Sequence, residues 1–361
     1  MGYRTARRCE RPARDESALV RQESSGHSRS TKIIKCCCAA ISGFISSAGA
    51  NFRRKDLLSA EIVDAEGRVL RVSPDEREDL FWAIRGGGGN FGIATSLEYR
   101  LHPVGQILGG ALRYPISATR DVLSFLDDYM MTVADELDVA VDIGNVGMML
   151  AAPVVKEAIV TVTVSYCGDL EKGETALKPL RSFRRPLADT IRATSYLEIQ
   201  ALDDIQPLAE FGSTGGSRAL ETTFIERLGP EVIDTVVNSL EEPPPFFWIA
   251  VEHYMQGAVC RVEPARTAFA LRRPGYSSRS FAAWRESGQA DLSLAWVKRF
   301  VAALEPFTGG AIYVSYLTSG TADADVRAAY GPNYERLVTI KNRYDPTNFF
   351  SSNRNVRPEQ R

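Results

Sequence analysis

The chain has 361 residues and a formal net charge of −2, with 44% hydrophobic and 24% charged residues. These values are ordinary for a globular protein of two or three compact units, and they exclude a global basic field directed at nucleic acid. No apolar run reaches the ~20 residues that cross a bilayer, so we expect no membrane partner.

Six cysteines are present, three of them adjacent at positions 36–38, and none has metal-ligand spacing. With only three histidines in the chain, we expect no metal site and reduced thiols in a cytoplasmic protein. Residues 32–50 have the basic flank, apolar middle and small-residue end of a loose secretory signal. A long Arg-rich stretch precedes them, and serine and glycine dilute their apolar core, which favours the cytoplasmic interpretation.

Residues 1–50 are rich in Arg, Ser and Glu, a composition that favours disorder. From residue 57, "LLSAEIVDAEGRVLRV" predicts a hairpin with strands over 57–63 and 68–72. "SPDEREDLFWAIRGG" predicts a helix, because Ser73 suits the cap, Pro74 suits the first position and Glu76 completes a capping box. Glycine ends this helix, and "IATSLEYRLHPV" predicts the next strand.

Strands and helices alternate through the middle of the chain. We predict strands at "GGALRYPI", "VDIGNVGMMLAAPV", "EAIVTVTVSYCG", "FFWIAVEHYMQGAVCRV" and "GGAIYVSYL". We predict helices at "ATRDVLSFLDDYMMTVA", "DLEKGETALKPLRSF" and "DLSLAWVKRFVAALEPF". This order predicts an α+β fold with helices on one face of an antiparallel sheet. Residues 333–344 predict a helix that Asp345-Pro346 ends, before an Asn-rich tail.

Residues 79–93, "DLFWAIRGGGGNFGI", place four glycines after a helix and before a strand. A dinucleotide loop has the reverse order, with a helix N-terminus facing the pyrophosphate. Here a helix C-terminus carries negative partial charge, and the Lys-Ser/Thr of a phosphate loop is absent from the motif. From the residues alone, the glycines either expose N–H groups to a ligand or form a tight turn.

Residues 56–104, "DLLSAEIVDAEGRVLRVSPDEREDLFWAIRGGGGNFGIATSLEYRLHPV", closely resemble the second half of the FAD-binding domain in FAD-linked oxidases of the berberine-bridge-enzyme type. The tail "YGPNYERLVTIKNRYDPTNFFSSNRNVRP" resembles the C-terminal motif of the same family. "EHYMQGAVCRVEPARTAF" and "GGAIYVSYL" resemble its substrate domain. The resemblance implies an atypical segment at 1–50, part of the FAD domain at 51–106, a substrate-binding α+β domain at 107–325 and a segment at 326–361 that returns to the FAD domain.

The resemblance implies FAD as the cofactor and assigns six residues to its site: Gly89, Asn90, Gly92, Ile93, Asn353 and Asn355. The residues themselves leave other roles open, since Asn90 also suits a turn cap and the tail asparagines also suit local backbone groups. Tyr330 and Asn333 are interpreted as supports of the flavin pocket. Lys341 is interpreted as an ion-pair or surface residue.

Oxidases of this type move a hydride from a CH–OH or CH–NH carbon to flavin N5 while a base takes the proton. The family's base is often a tyrosine in a "Y-x-N-Y" strand, which reads "YVSY" at 313–316 here. We expect Tyr316 to be the base and hold Tyr313 as its rival, although both also suit packing. His253 and Gln256 are expected to line the cleft of a small-molecule substrate, where His253 is equally a structural histidine.

The resemblance does not extend to the family's N-terminal half, which carries a pyrophosphate-binding loop with the sequence Gly-Gly-His. "SSGHS" at 24–28 resembles that loop only faintly, with His27 at the linking position. Two functions are therefore open: an FAD-dependent oxidoreductase, or a truncated, non-catalytic remnant unable to hold FAD. The second predicts an exposed apolar sheet edge at Leu57, Leu58, Ile62 and Val63.

Overall fold

The computed structural model describes residues 19–23, 57–100, 104–145, 157–202, 216–314, 317, 322–351 and 354–359. At 19–23, 200–202 and 252–254 it describes the backbone alone. The strands are β1 Leu19–Glu23, β2 Leu57–Val63, β3 Val69–Val72, β4 Ile93–Arg100, β5 Gln106–Pro115, β6 Leu137–Gly144, β7 Ile159–Tyr166, β8 Ala188–Asp189, β9 Arg192–Ser195, β10 Ser217–Ile225, β11 Phe246–Met255 and β12 Gly275–Trp284. The α-helices are α1 Glu78–Ile84, α2 Thr119–Met130, α3 Leu170–Ser182, α4 Tyr196–Leu202, α5 Pro230–Ser239, α6 Ala290–Leu304, α7 Asp323–Tyr330 and α8 Tyr334–Tyr344.

The larger sheet has eight antiparallel strands in the order β10-β12-β11-β6-β7-β5-β8, with β9 also paired to β5. Its β7 alternates in burial, so that Val160, Val162 and Val164 all face one core. Helices α2, α3, α5 and α6 bury their apolar sides in that same core. The prediction of an α+β fold is therefore confirmed, and these helices share one face of the sheet.

The smaller sheet has the order β1-β4-β2-β3 and packs against α1, α7 and α8. Its core also receives residues from between β11 and β12, and from the stretch after α6, including Phe269 and Tyr313. These long-range contacts bring the segment 264–269 and Tyr313 to the end of α1. The site described below is assembled there.

Several local predictions are wrong. Helix α1 begins at Glu78, because the Ser73 hydroxyl caps a turn through the N–H groups of Asp75 and Glu76 instead of the helix. Residues 311–313 of the predicted strand "GGAIYVSYL" form no regular element. Within the segment expected to be disordered, residues 19–23 form a strand that pairs with β4. The rest of residues 1–50, including His27 and the cysteine run at 36–38, lies outside the described residues.

The predicted apolar edge is also absent from the described part of the smaller sheet at β2. Strand β2 is interior, since β3 pairs with one side and β4 with the other. Leu57 and Ile62 are buried, while Leu58 and Val63 are half-buried. Pairing on both sides leaves β2 no free hydrogen-bonding edge.

Candidate functional site

The glycine run begins directly after α1, and three of the motif's glycines are required by packing inside the protein. A Cβ at Gly86 would lie 2.4 Å from the backbone nitrogen of Phe269. At Gly87 a Cβ would lie 2.4 Å from the carbonyl oxygen of Ala83, and at Gly92 it would lie 2.4 Å from a methyl carbon of Ile62. These glycines therefore form a tight connection from the helix to the sheet.

The centre of the run has a different environment. Gly88 has a φ of +70°, and a Cβ there would meet only the Tyr330 hydroxyl at 3.5 Å and the Asn90 amide nitrogen at 3.8 Å. Within the described chain, the backbone N–H groups of Gly88 and Gly89 donate no hydrogen bond. The tight turn is thus confirmed at the ends of the run, whereas the ligand-binding role of its middle, where two N–H donors remain unused among the described residues, stays a prediction.

Asn90 is fully buried and joins the glycine run to the C-terminal tail. Its side-chain nitrogen donates to the carbonyl oxygens of Gly87 at 2.7 Å and Arg354 at 3.0 Å. Its side-chain oxygen accepts from the N–H of Val356 at 2.9 Å. The carboxamide is thus committed to the protein, and Asn90 holds the tail that carries the other predicted asparagines.

Lys341 of α8 fixes the same residue from the opposite side. The Lys341 ammonium is fully buried and donates to the carbonyl oxygens of Asn90 at 2.8 Å and Phe350 at 3.0 Å. Its third bond goes to the carboxylate of Asp345, also fully buried, at 2.6 Å. Burial lowers the pKa of Lys341, and the bond to Asp345 acts in the opposite direction. Lys341 is thus a buried ion-pair residue, and the surface interpretation is wrong.

Asn355 lies in the tail between the two residues that Asn90 holds. Its side-chain oxygen is buried and has no hydrogen-bond partner among the described residues. A buried acceptor without a donor is unfavourable, and such a group in a native protein calls for a missing partner. Ile93 begins β4 and is 40% exposed, whereas Asn353 lies outside the described residues.

Phe269 lies between Tyr313 and the glycine run and contacts both. The ring of Phe269, whose backbone touches Gly86, meets the ring of Tyr313 edge-on at 5.7 Å between centroids. Tyr313 is 8% exposed. The rival candidate Tyr316 lies outside the described residues, so its proximity to this site stays a prediction.

Arg272 supplies a buried cation beside Tyr313, and sequence reasoning missed it. Its guanidinium lies 4.9 Å from the centroid of the Phe269 ring and donates to three uncharged acceptors, on Phe269, Val259 and Thr267. Burial lowers the pKa of Arg272 to about 10, while Tyr313 is among the groups that act to raise it. Its three acceptors lie within 13 residues before it in the sequence, whereas Tyr313 comes from a distant segment, so only the fold shows that the two are neighbours.

The predicted substrate residues are not gathered at this site. The side-chain nitrogen of Gln256 donates to the carbonyl oxygen of Leu137 in β6 at 3.4 Å, which gives it a structural contact. His253 lies in β11, and its side chain lies outside the described atoms. Asn333 donates to carbonyl oxygens of Pro264, Thr267 and Ala268, and thereby supports the segment that carries Phe269.

The described residues contain no cluster of His, Cys, Asp or Glu that could hold a metal ion. No helix among them combines the length and the apolar character that a membrane span requires. Cys167 and Cys260 are free thiols. The cytoplasmic location stays a prediction.

A family model described as "Berberine and berberine like" matches residues 315–357. An FAD-linked oxidoreductase of Dictyostelium discoideum is 28% identical over 310 residues, which are 84% of this chain and 64% of that protein. The (R)-6-hydroxynicotine oxidase of Paenarthrobacter nicotinovorans is 29% identical over 328 residues, or 84% of this chain and 66% of that protein. The crystal structure of 6-hydroxy-D-nicotine oxidase from Arthrobacter nicotinovorans matches with a TM-score of 0.73 at 27% identity, covering 90% of this chain and 71% of that chain.

The chain is similar to FAD-linked oxidoreductases of the berberine-bridge-enzyme type. It spans just under two thirds of the length of the two curated relatives named above. The resemblance seen in the glycine run and the Asn-rich tail is thus confirmed. In the structure, Asn90 and Lys341 bind those two motifs to each other.

The residues present fit a flavin dinucleotide at the glycine run. FAD carries hydrogen-bond acceptors on its phosphates and ring carbonyls, and donors on its ring N–H and hydroxyl groups. We call the surface formed by Gly88, Gly89 and Asn355 the wall of the site. Its unused N–H donors at Gly88 and Gly89 match the acceptors of FAD, and the unpaired buried oxygen of Asn355 matches a donor of FAD. These atoms belong to segments that Asn90 connects directly.

Proposed function

We propose that the protein is an FAD-dependent oxidoreductase that oxidises a CH–OH or CH–NH carbon of a small molecule. The observation that carries the proposal is the wall formed by Gly88, Gly89 and Asn355, which presents uncommitted donors and one buried, unpaired acceptor. Similarity to FAD-linked oxidoreductases supports the choice of FAD as the group that completes these bonds. The names of the relatives include an oxidase of a cyclic amine, which supports an amine or alcohol as substrate.

FAD, when bound, supplies a hydride acceptor at flavin N5. The chain's own contribution is to hold the cofactor, exclude water and take the substrate proton. As acceptor of that proton we choose the phenolate oxygen of ionised Tyr313, the rival candidate, because its ring packs against Phe269 next to the glycine run, whereas Tyr316 lies outside the described residues. A tyrosine with its ordinary pKa near 10 is a weak base at neutral pH, and a neighbouring cation favours its ionised form. Arg272 provides that cation and is held in place by three hydrogen bonds.

The first test is a visible absorption spectrum of the purified protein, before and after acid precipitation. Flavin bands in near-stoichiometric amount, present on isolation or after addition of FAD, are the expected result. Colour retained in the acid pellet would indicate a covalent link, for which His27 and the cysteines are the candidates. A folded protein that stays colourless with added FAD would overturn the proposal and favour the non-catalytic interpretation.

The second test is anaerobic bleaching of the bound flavin by a panel of secondary alcohols and cyclic amines. We expect one class to reduce the flavin, because the proposed reaction transfers a hydride to it. A protein that binds FAD and is bleached by dithionite but by neither class would contradict the assigned reaction while leaving the cofactor assignment intact.

A further inference from the structure

We propose that the buried Lys341–Asp345 pair is a positioning device for the FAD site, and that it sets cofactor affinity more than it sets stability. The inference rests on the proposed function, and it adds two residues that bond to none of the three proposed ligand-binding atoms, the N–H groups of Gly88 and Gly89 and the side-chain oxygen of Asn355. Lys341 fixes the backbone of the glycine run, and Asp345 fixes the start of the tail. Together they determine the distance between the two parts of the wall, the glycine run and the tail residue Asn355.

The ammonium of Lys341 uses all three of its hydrogen-bond donors. One bond leads to the carbonyl oxygen of Asn90, one to the carboxylate of Asp345 and one to the carbonyl oxygen of Phe350. The three acceptors come from the glycine run, the end of α8 and the tail. A single side chain therefore defines the relative placement of three segments, two of which are more than 200 residues apart in the sequence.

The carboxylate of Asp345 is satisfied as fully as its partner. One oxygen accepts from the Lys341 ammonium at 2.6 Å and from the N–H of Phe350 at 2.9 Å. The other oxygen accepts from the N–H of Phe349 at 2.8 Å. This network orders the first turn of the tail directly after α8, which is the turn that leads to Asn355.

Energetics favours positioning over stability as the reason for a buried pair. Replacing a buried ion pair by uncharged groups is often neutral for stability, because the charges lose as much hydration as they gain in attraction. Removing one partner is costly, because the other charge is then buried alone. A pair with all bonds satisfied mainly specifies one arrangement of the groups it connects. Here those groups are the carbonyl of Asn90 and the tail.

Two residues hold the candidate FAD-binding wall in place: the Asn90 side chain, which binds the tail around Asn355, and the Lys341 ammonium, which binds the Asn90 backbone. The Asn90 side chain binds the residues on both sides of Asn355, at Arg354 and Val356. The Lys341 ammonium binds the Asn90 backbone. A shift of the Asn90 backbone therefore moves the neighbouring N–H of Gly89 and, through the carboxamide, the unpaired oxygen of Asn355. Cofactor affinity is sensitive to such shifts, because hydrogen bonds weaken with distance and angle.

The test uses a double variant that carries both Lys341→Met and Asp345→Asn. It is compared with the wild type and with the control variant Arg343→Gln. Arg343 lies on the same helix and pairs with Asp79 of α1, but its side chain is mostly exposed and makes no contact with the glycine run. FAD dissociation constants and melting temperatures without FAD are measured for all three proteins. We expect the double variant to melt slightly below the wild type without FAD, because the carbonyl oxygens of Asn90 and Phe350 lose a donor, and to bind FAD at least about tenfold more weakly. Arg343→Gln should match the wild type in both measurements.

Each outcome separates this inference from the proposed function. A wild type that binds no FAD contradicts the proposed function itself. A wild type that binds FAD, together with a double variant that binds it equally well, overturns the positioning role and leaves the function standing. If the double variant loses its melting transition, the pair is primarily a stabilising element, and that result also overturns the inference.

Hydrogen exchange of the wild type gives a readout that needs no variant. Addition of FAD should increase protection in residues 86–92 and 345–351 together, because the Lys341 bonds couple the two segments. Protection confined to the glycine run would contradict the coupling. The bound flavin's visible band shape provides a second signature, since a loosened wall should blur its fine structure in the double variant but not in Arg343→Gln.

Discussion

The hydroxyl of Tyr330 donates a hydrogen bond of 3.0 Å to the carbonyl oxygen of Gly87, and both residues are buried. Burial raises the pKa of Tyr330, so the hydroxyl stays protonated and remains a donor at every pH at which the protein is handled. The same carbonyl accepts from Asn90. The helix α7 is thereby attached to the glycine run by one side-chain bond.

Replacement of Tyr330 by Phe removes one of two donors to the Gly87 carbonyl and should lower the free energy of unfolding by about 1 kcal/mol. FAD affinity should fall as well, because this carbonyl and the N–H of Gly88, a proposed donor to FAD, belong to the same peptide group. Urea denaturation and FAD titration measure the two effects. Tyr129→Phe is the matched control, since its hydroxyl donates to the carbonyl of Ala176 in the larger core. An equal loss of FAD affinity in both variants would contradict the role assigned to Tyr330.

Alanine at Gly86 and at Gly88 should have different consequences. At Gly86 the new Cβ would lie 2.4 Å from the Phe269 backbone, so the helix-to-sheet connection must move and we expect little folded protein. At Gly88 the φ of +70° costs about 1–2 kcal/mol and the nearest atom is 3.5 Å away, so the protein should fold and bind FAD more weakly. Gly67→Ala is the control, because its φ is +79° in an open turn. Soluble yield, melting temperature and FAD titration distinguish the three variants.

The Cys260 thiol should react slowly with iodoacetamide in the native protein. Burial raises its pKa to about 11 from an ordinary value near 9, so only about one thiol in a thousand is ionised at pH 8. The rate should rise about tenfold for each pH unit from 8 to 10 and level off near pH 11. Peptide mass spectrometry measures the rate at Cys260 separately from the other five cysteines. A plateau near pH 9 would show that the thiol is solvated in the native state.

The same shift predicts a loss of stability at alkaline pH. Because the folded pKa of Cys260 lies above the unfolded value, the unfolded chain loses its proton first. The contribution of this thiol is therefore fully present below about pH 9 and declines as the pH rises to about 11. Cys260→Ala should flatten that part of the stability profile, and an unchanged slope would contradict the shift.

Tyr313→Phe should retain FAD and lose turnover by at least about a hundredfold, because the proposed proton acceptor is removed. Arg272→Gln should shift the rising limb of the pH–rate profile to higher pH, since the cation that favours ionised Tyr313 is gone. Steady-state kinetics across pH 6 to 10 measures both effects. Tyr114→Phe is the control, since Tyr114 belongs to the larger core and its hydroxyl has no partner among the described residues. Full activity of Tyr313→Phe would favour Tyr316 as the base.

Local sequence patterns predict many of the strands and helices of this protein. The β-branched run at 159–166 alternates in burial as a strand, and the tail helix ends at Asp345 as the Asp-Pro signal indicates. The glycine run and the Asn-rich tail predicted the similarity to FAD-linked oxidases of the berberine-bridge-enzyme type. These features are readable because a strand's alternation, a helix stop and a sequence motif each depend on neighbours within about ten residues.

Only the tertiary structure decided how those pieces act together. Strand β12 forms because β10 and β11 pair with both of its edges, although seven of its ten residues are Gly, Ser, Arg or Ala, which are not among the residues enriched in strands. Asn90 reaches Val356 across 266 positions, and Arg272 meets Tyr313 through a shared phenylalanine. Hydrogen-bond partners and buried charges of this kind depend on which distant segments the hydrophobic cores bring into contact. The sequence by itself thus determined most of the elements and the similarity to known oxidases, whereas the folded chain determined which side chains form the wall of the candidate site.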